Sequence, residues 1–158
     1  MSLLAATRPT GWDFPLFLHV LGAMILVGGI LTAVSAQLVG WRRGSAADAV
    51  TFGRTAFRAL VFVALPAWFV MRIGAQWIYS KEGWSGDDDP TWLGIGYLTA
   101  DLGGIVLLIA IILAGFGARR LVRTDGTSTG LARASTILAA LVLIAYFVTV
   151  WAMTAKPS

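Results

Sequence analysis

The chain has 158 residues, of which 58% are hydrophobic and only 13% charged, with a mean hydropathy of +0.79. Soluble domains carry about 25% charged residues, so this composition is that of a membrane protein. Cysteine is absent, which excludes disulfides, thiolate-bound zinc and iron–sulfur clusters. The formal charge of +4 does not point to nucleic acid, because the arginines fall between apolar stretches, where topology and anionic headgroups account for them.

Residues 1–13 are a short polar lead without the basic region and A-x-A site of a secretory signal, so no cleaved signal peptide is expected. Asp13 and Pro15 suit a helix start, as cap and early-turn proline. The first apolar span is read over 14–39. A basic loop follows over 40–58, with room for one short amphipathic turn beginning at Ser45. The second span covers 59–79, where Pro66 is expected to kink or loosen the helix near 62–66. An acidic connection carrying Asp87 to Asp89 leads to the third span, 92–117, with Asp89–Pro90 as its natural start. The fourth span is 133–154. A bilayer takes about 20 apolar residues per helix. Four such spans with short connections predict an all-α, transmembrane four-helix up-down-up-down bundle forming a single domain over 1–158.

Orientation follows from loop charge. The loops on one side hold Arg42, Arg43, Arg54 and Arg58, then Arg119, Arg120, Arg123 and Arg133. The other side holds Arg8, Lys81 and Lys156 beside Asp13, Glu82 and the three aspartates. The positive-inside rule then puts the arginine loops in the cytoplasm and both termini outside. The preference for arginine over lysine, with the alanine, glycine and tryptophan content, suggests a GC-rich bacterial genome. The stops LVGWRR and GFGARR echo one another, and either an internal repeat or a shared interfacial stop explains them.

Two charges stand inside the spans, Arg72 and Asp101. Each would cost roughly 2.5–3.5 kcal/mol near the centre of a bilayer-spanning helix. Measured from the span midpoints, both fall about 5 Å towards the terminal side, at 1.5 Å per residue. They are expected to form a buried ion pair, with Gln76, Tyr97 and Tyr146 satisfying the remaining hydrogen bonds. Gln76 is one turn beyond Arg72 on the same face and Trp68 one turn before it. Gly94, Tyr97, Asp101 and Gly104 share a face, as do His19, Gly22, Gly29, Ala33 and Ala36, where small residues permit close helix approach. The pair admits two readings, a structural lock or a polar ligand or ion site.

His19 is the only histidine. With Met24 and Met71 at a similar level it offers a soft donor set for copper(I) or His/Met haem ligation, or it is an interfacial, hydrogen-bonded histidine. Asp87 to Asp89 lack the spacing of a calcium loop and read as a solvated loop and helix cap. No nucleophile elbow, P-loop, dinucleotide fingerprint or HExxH occurs, so no catalytic activity is expected.

The stretch LHVLGAMILVGG (18–29), with His19, Gly22 and the Gly28–Gly29 pair, resembles the opening helix of a family of small bacterial four-span integral-membrane proteins. That family is distantly similar to the transmembrane domain of copper-resistance D proteins. The resemblance extends over the chain in length and span count. It implies an inner-membrane protein with an outward-facing polar site, and related four-helix domains use histidines for haem or copper. The expected function is that of a non-enzymatic subunit or accessory of a larger respiratory or transport assembly, its partners being the lipid bilayer and other membrane subunits or further copies of itself, without nucleic acid. The alternative is a haem b- or copper-binding protein centred on His19.

Overall fold

The computed structural model describes residues 10–82, 90–127 and 129–155. Arg8, Trp84, Asp87 to Asp89 and Lys156 lie outside the described residues. A single 3-10 turn, Thr10–Trp12, leads into helix α1, Asp13–Arg43. Helix α2, Ala46–Ala59, runs through a π-helical turn at Leu60–Ala64 directly into α3, Leu65–Glu82. Helices α4, Thr91–Arg123, and α5, Gly130–Ala155, complete the chain. The segments Asp13–Arg43, Ala46–Lys81, Thr91–Arg123 and Gly130–Ala155 are each long and apolar enough to cross a membrane. The molecule is an all-α four-helix bundle, with no strand among the described residues.

The basic loop expected over 40–58 is largely helix. Gly44, at φ 70°, stops α1, and Ser45 starts α2 at once. The Ser45 hydroxyl accepts from the Asp48 amide at 3.0 Å and donates to the Asp48 carboxylate at 2.7 Å, so two polar groups close the first turn reciprocally. Gly53, Ala56 and Ala59 then bury one face of α2. Charge alone suggested a loop because Arg54 and Arg58 occupy the opposite, exposed face.

The π turn is the structural answer to Pro66. Proline has no amide hydrogen and its ring crowds the preceding turn, so the regular ladder cannot continue through it. The Leu65 amide donates instead to the Leu60 carbonyl, five residues back, which widens the helix where loosening was expected.

Around the bundle, α1 packs along α2 and α3, α4 packs along α5, and α1–α5 and α2–α4 contacts close the ring. Backbone contact between α3 and α4 is slight. The packing is sorted by size. Alanines, with Leu26, Ile30, Leu60 and Leu107, fill the inside, while large residues such as Phe62, Leu98, Ile105 and Phe147 cover the outside. With lipid outside, van der Waals fit rather than the hydrophobic effect holds the helices together, and small residues let the backbones approach. Gly126, at φ 80°, lies against Ala46, where a Cβ would fall 2.7 Å from the Ala46 Cα. The two arginine-bearing turns therefore meet at one end of the bundle, called here the basic end. The opposite end is the terminal end.

Candidate functional site: a polar seam between α3 and α4

Where α3 and α4 stand apart, long side chains span the gap. Arg72 reaches from α3 to Asp101 on α4, with Nε donating to Oδ1 at 2.9 Å and Nη2 to Oδ2 at 3.4 Å. Its Nη1 donates to Gln76 Oε1 at 3.2 Å, as the i, i+4 spacing allows. The guanidinium also lies over the Tyr97 ring, 4.6 Å from its centroid, a favourable cation–π placement. Tyr79 meets Tyr97 edge-on at 5.4 Å. Arg72, Asp101, Gln76 and Tyr97 thus come together, but Tyr97 meets the guanidinium through its ring face and not through the hydrogen bond expected of its hydroxyl.

Their position differs from expectation. The pair stands on the outer surface of the bundle rather than inside it: the Asp101 side chain is 55% exposed and that of Arg72 23%. Asp101 shares its outward face with Leu98, Leu102 and Ile105, all exposed, whereas Ala100, Gly103 and Leu107 take the inward face of α4. Arg72 lies ten residues before Glu82 and Asp101 ten after Thr91, about 15 Å along either helix. The flanking exposed surface is apolar, so the pair is a charged spot on an apolar flank, part-way along two helices long and apolar enough to cross a membrane.

Tyr146 does not join the pair's hydrogen bonds. It is 4% exposed on α5, behind the seam, and its hydroxyl lies over Gly103, 3.2 Å from where a Cβ would stand. The Tyr97 and Tyr146 hydroxyls are both buried without a hydrogen-bond partner among the described residues. Trp68 takes the bridging role instead. Its indole Nε1 donates to the Ala100 carbonyl at 2.9 Å, and the ring fills the space over Gly104, where a Cβ would fall 2.5 Å from the indole Cζ2. In sequence Trp68 was visible only as a neighbour one turn from Arg72. The signal that identifies its role is Gly104, the site that accepts the ring.

His19 has a backbone partner. Its Nδ1 lies 3.1 Å from the Met71 carbonyl oxygen, and since a carbonyl only accepts, that nitrogen is the donor and Nε2 points away from this bond. This orientation suits a metal ligand, but the donors do not converge. Met24, five residues on, projects about 140° round α1 and is 69% exposed. Met71 is 5% exposed and packs into the core. No group of three histidine, cysteine or carboxylate side chains comes together among the described residues. His19 and Met24 thus do not form one site for copper or haem within this chain.

In comparisons with protein families, curated proteins and solved structures, nothing matches this chain.

Proposed function

We propose that this protein is a small, non-enzymatic membrane subunit or accessory of a larger assembly, respiratory or transport in kind, in a bacterial inner membrane. The observation that carries this reading is the exposure of the Arg72–Asp101 pair on an apolar surface. A carboxylate facing hydrocarbon is costly, and intramembrane charges normally face protein, water or one another. A neighbouring subunit seated over the α3–α4 seam would cover Asp101 and could supply donors to its free oxygen lone pairs. The short connections, such as Gly44–Ser45 between α1 and α2, add support, since they leave no room for a catalytic domain.

In this reading the basic end, with Arg42, Arg43, Arg54, Arg58, Arg119, Arg120, Arg123 and Arg133, lies in the cytoplasm and both termini outside. Membranes are extracted in mild detergent and resolved by native electrophoresis, wild type beside Asp101→Leu. A defined larger complex is expected for the wild type and its loss for the variant, with the variant still folded as an isolated bundle. A wild type that migrates as a clean monomer or homodimer overturns the proposal.

A further inference from the structure

The strongest unpartnered feature outside the polar seam lies at the basic end. A groove of about 430 Å3 opens between α2 and α4, flanked by Arg54 and Arg58 on one helix and Arg119 and Arg123 on the other. Both pairs are spaced i, i+4, so each presents two guanidinium groups one above the other on the same helix face. All four side chains are exposed. The ion pairs among the described residues are Arg43–Asp48 and Arg72–Asp101, so no carboxylate of the described residues neutralises any of the four. Four like charges around one groove repel unless an anion lies between them.

The groove has an apolar continuation. A second crevice of about 270 Å3 shares Phe57 and Arg119 with it and runs on beside Val61, Ile112 and Phe116. Gly115 forms the floor common to both, with the Phe57 ring 3.1 Å from where its Cβ would be. The charged mouth sits where the apolar stretch of α4 gives way to Arg119, and the crevice descends along the lipid-facing flank, where Phe62, Ile112 and Phe116 are exposed. A cationic mouth at headgroup level joined to an apolar channel at chain level matches the two halves of a phospholipid.

We propose that the α2–α4 groove is a binding site for an anionic phospholipid, whose phosphate is held by Arg54, Arg58, Arg119 and Arg123 and whose acyl chain lies along the Phe57–Phe116 crevice. Arginine suits this role because its planar fork meets two phosphate oxygens at once. Basic pockets between transmembrane helices are known to take such headgroups. Occupancy would also tie α2 to α4, one of the contacts that close the bundle's ring. The site is independent of the subunit reading, since it requires only that the bundle lie in a bilayer.

The test uses the full chain in nanodiscs of zwitterionic lipid, with and without one-fifth anionic phospholipid, read by thermal unfolding and by native mass spectrometry of retained lipid. Anionic lipid is expected to raise the unfolding temperature and to be retained. In Arg58→Gln/Arg119→Gln the affinity should fall about 100-fold, at about tenfold for each charge-assisted hydrogen bond to the phosphate removed. Arg42→Gln/Arg120→Gln removes the same charge from the same end outside the groove and should keep the wild-type response. Equal loss in both double variants would reduce the effect to general surface attraction and overturn the proposal. So would an equal shift from glycerol phosphate in solution, which would make the groove a site for free phosphate, or no shift from any anionic lipid. Circular dichroism of each variant verifies that its helices are intact. If Arg58→Gln/Arg119→Gln loses helix, Arg58→Lys/Arg119→Lys takes its place and must still show weakened lipid retention.

Discussion

Gly22 and Met71 meet backbone to backbone: a Cβ added at Gly22 would fall within contact of the Met71 amide nitrogen and 2.8 Å from its Cα. One turn towards the terminal end the relation reverses. Gly74 on α3 faces α1, and its Cβ would lie 2.6 Å from the His19 nitrogen and 2.8 Å from the Pro15 carbonyl oxygen. In both cases the obstacle is backbone, which cannot swing aside.

Gly22→Ala and Gly74→Ala are therefore each expected to destabilise the bundle by about 1–3 kcal/mol, the usual range for overpacking. Gly28 has open space around its Cβ position, so Gly28→Ala should be neutral, or stabilising by up to about 1 kcal/mol through helix propensity. Reversible unfolding in detergent compares the three. Equal effects at Gly22 and Gly28 would mean that α1 and α3 do not pack in this register.

The Arg72–Asp101 bond calls for a double-mutant cycle. Interhelical polar contacts in membranes couple by about 0.6 kcal/mol on average and reach about 1.7. Arg72→Leu should lower the unfolding temperature more than Arg72→Leu/Asp101→Leu does, because the single change leaves a lone carboxylate on an apolar surface. Strict additivity of the two single variants would rule out the pair.

Tyr146→Phe should leave stability unchanged or raise it, since the hydroxyl is buried without a partner among the described residues and burying it unbonded is unfavourable. A loss above about 1 kcal/mol in the same unfolding assay would show that the hydroxyl makes a bond on which the seam depends.

The absence of cysteine makes topology directly measurable. Single cysteines at Ser45 and Thr127, both exposed at the basic end, are expected to resist a membrane-impermeant maleimide in intact cells and to react after lysis. Gly86→Cys should react in intact cells. Labelling of position 45 or 127 from outside would invert the orientation.

Span number and the pairing of Arg72 with Asp101 were legible because both are one-dimensional: apolar runs count helices, and distance from a span's midpoint gives depth. Which way a residue faces was harder to read, because in a membrane helix both faces are apolar and the amphipathic stripe of soluble helices fades. The usable signal was side-chain size. On α4 the small residues Gly96, Ala100, Gly103, Gly104 and Ala110 mark the inside, and Asp101 falls beside Leu98, Leu102 and Ile105 on the large, outward side. The same rule explains Met24, which lies off the Gly22–Gly29–Ala33 face and points outward. The extent of α2 was half-legible: Ser45 announced its start, but the arginines of its exposed face read as loop.

The separation of Arg72 from Asp101 by 29 residues bears on how the chain enters its membrane. During synthesis Arg72 leaves the ribosome well before the aspartate that neutralises it, so α3 on its own presents an uncompensated cation to the lipid, at roughly 2.5–3.5 kcal/mol. If α4 arrives while α3 is still held beside the insertion machinery, the two charges meet before either faces hydrocarbon. The second and third membrane segments are thus suited to partition together as one hairpin, and the salt bridge acts as a condition on the order of assembly before it acts on the finished fold.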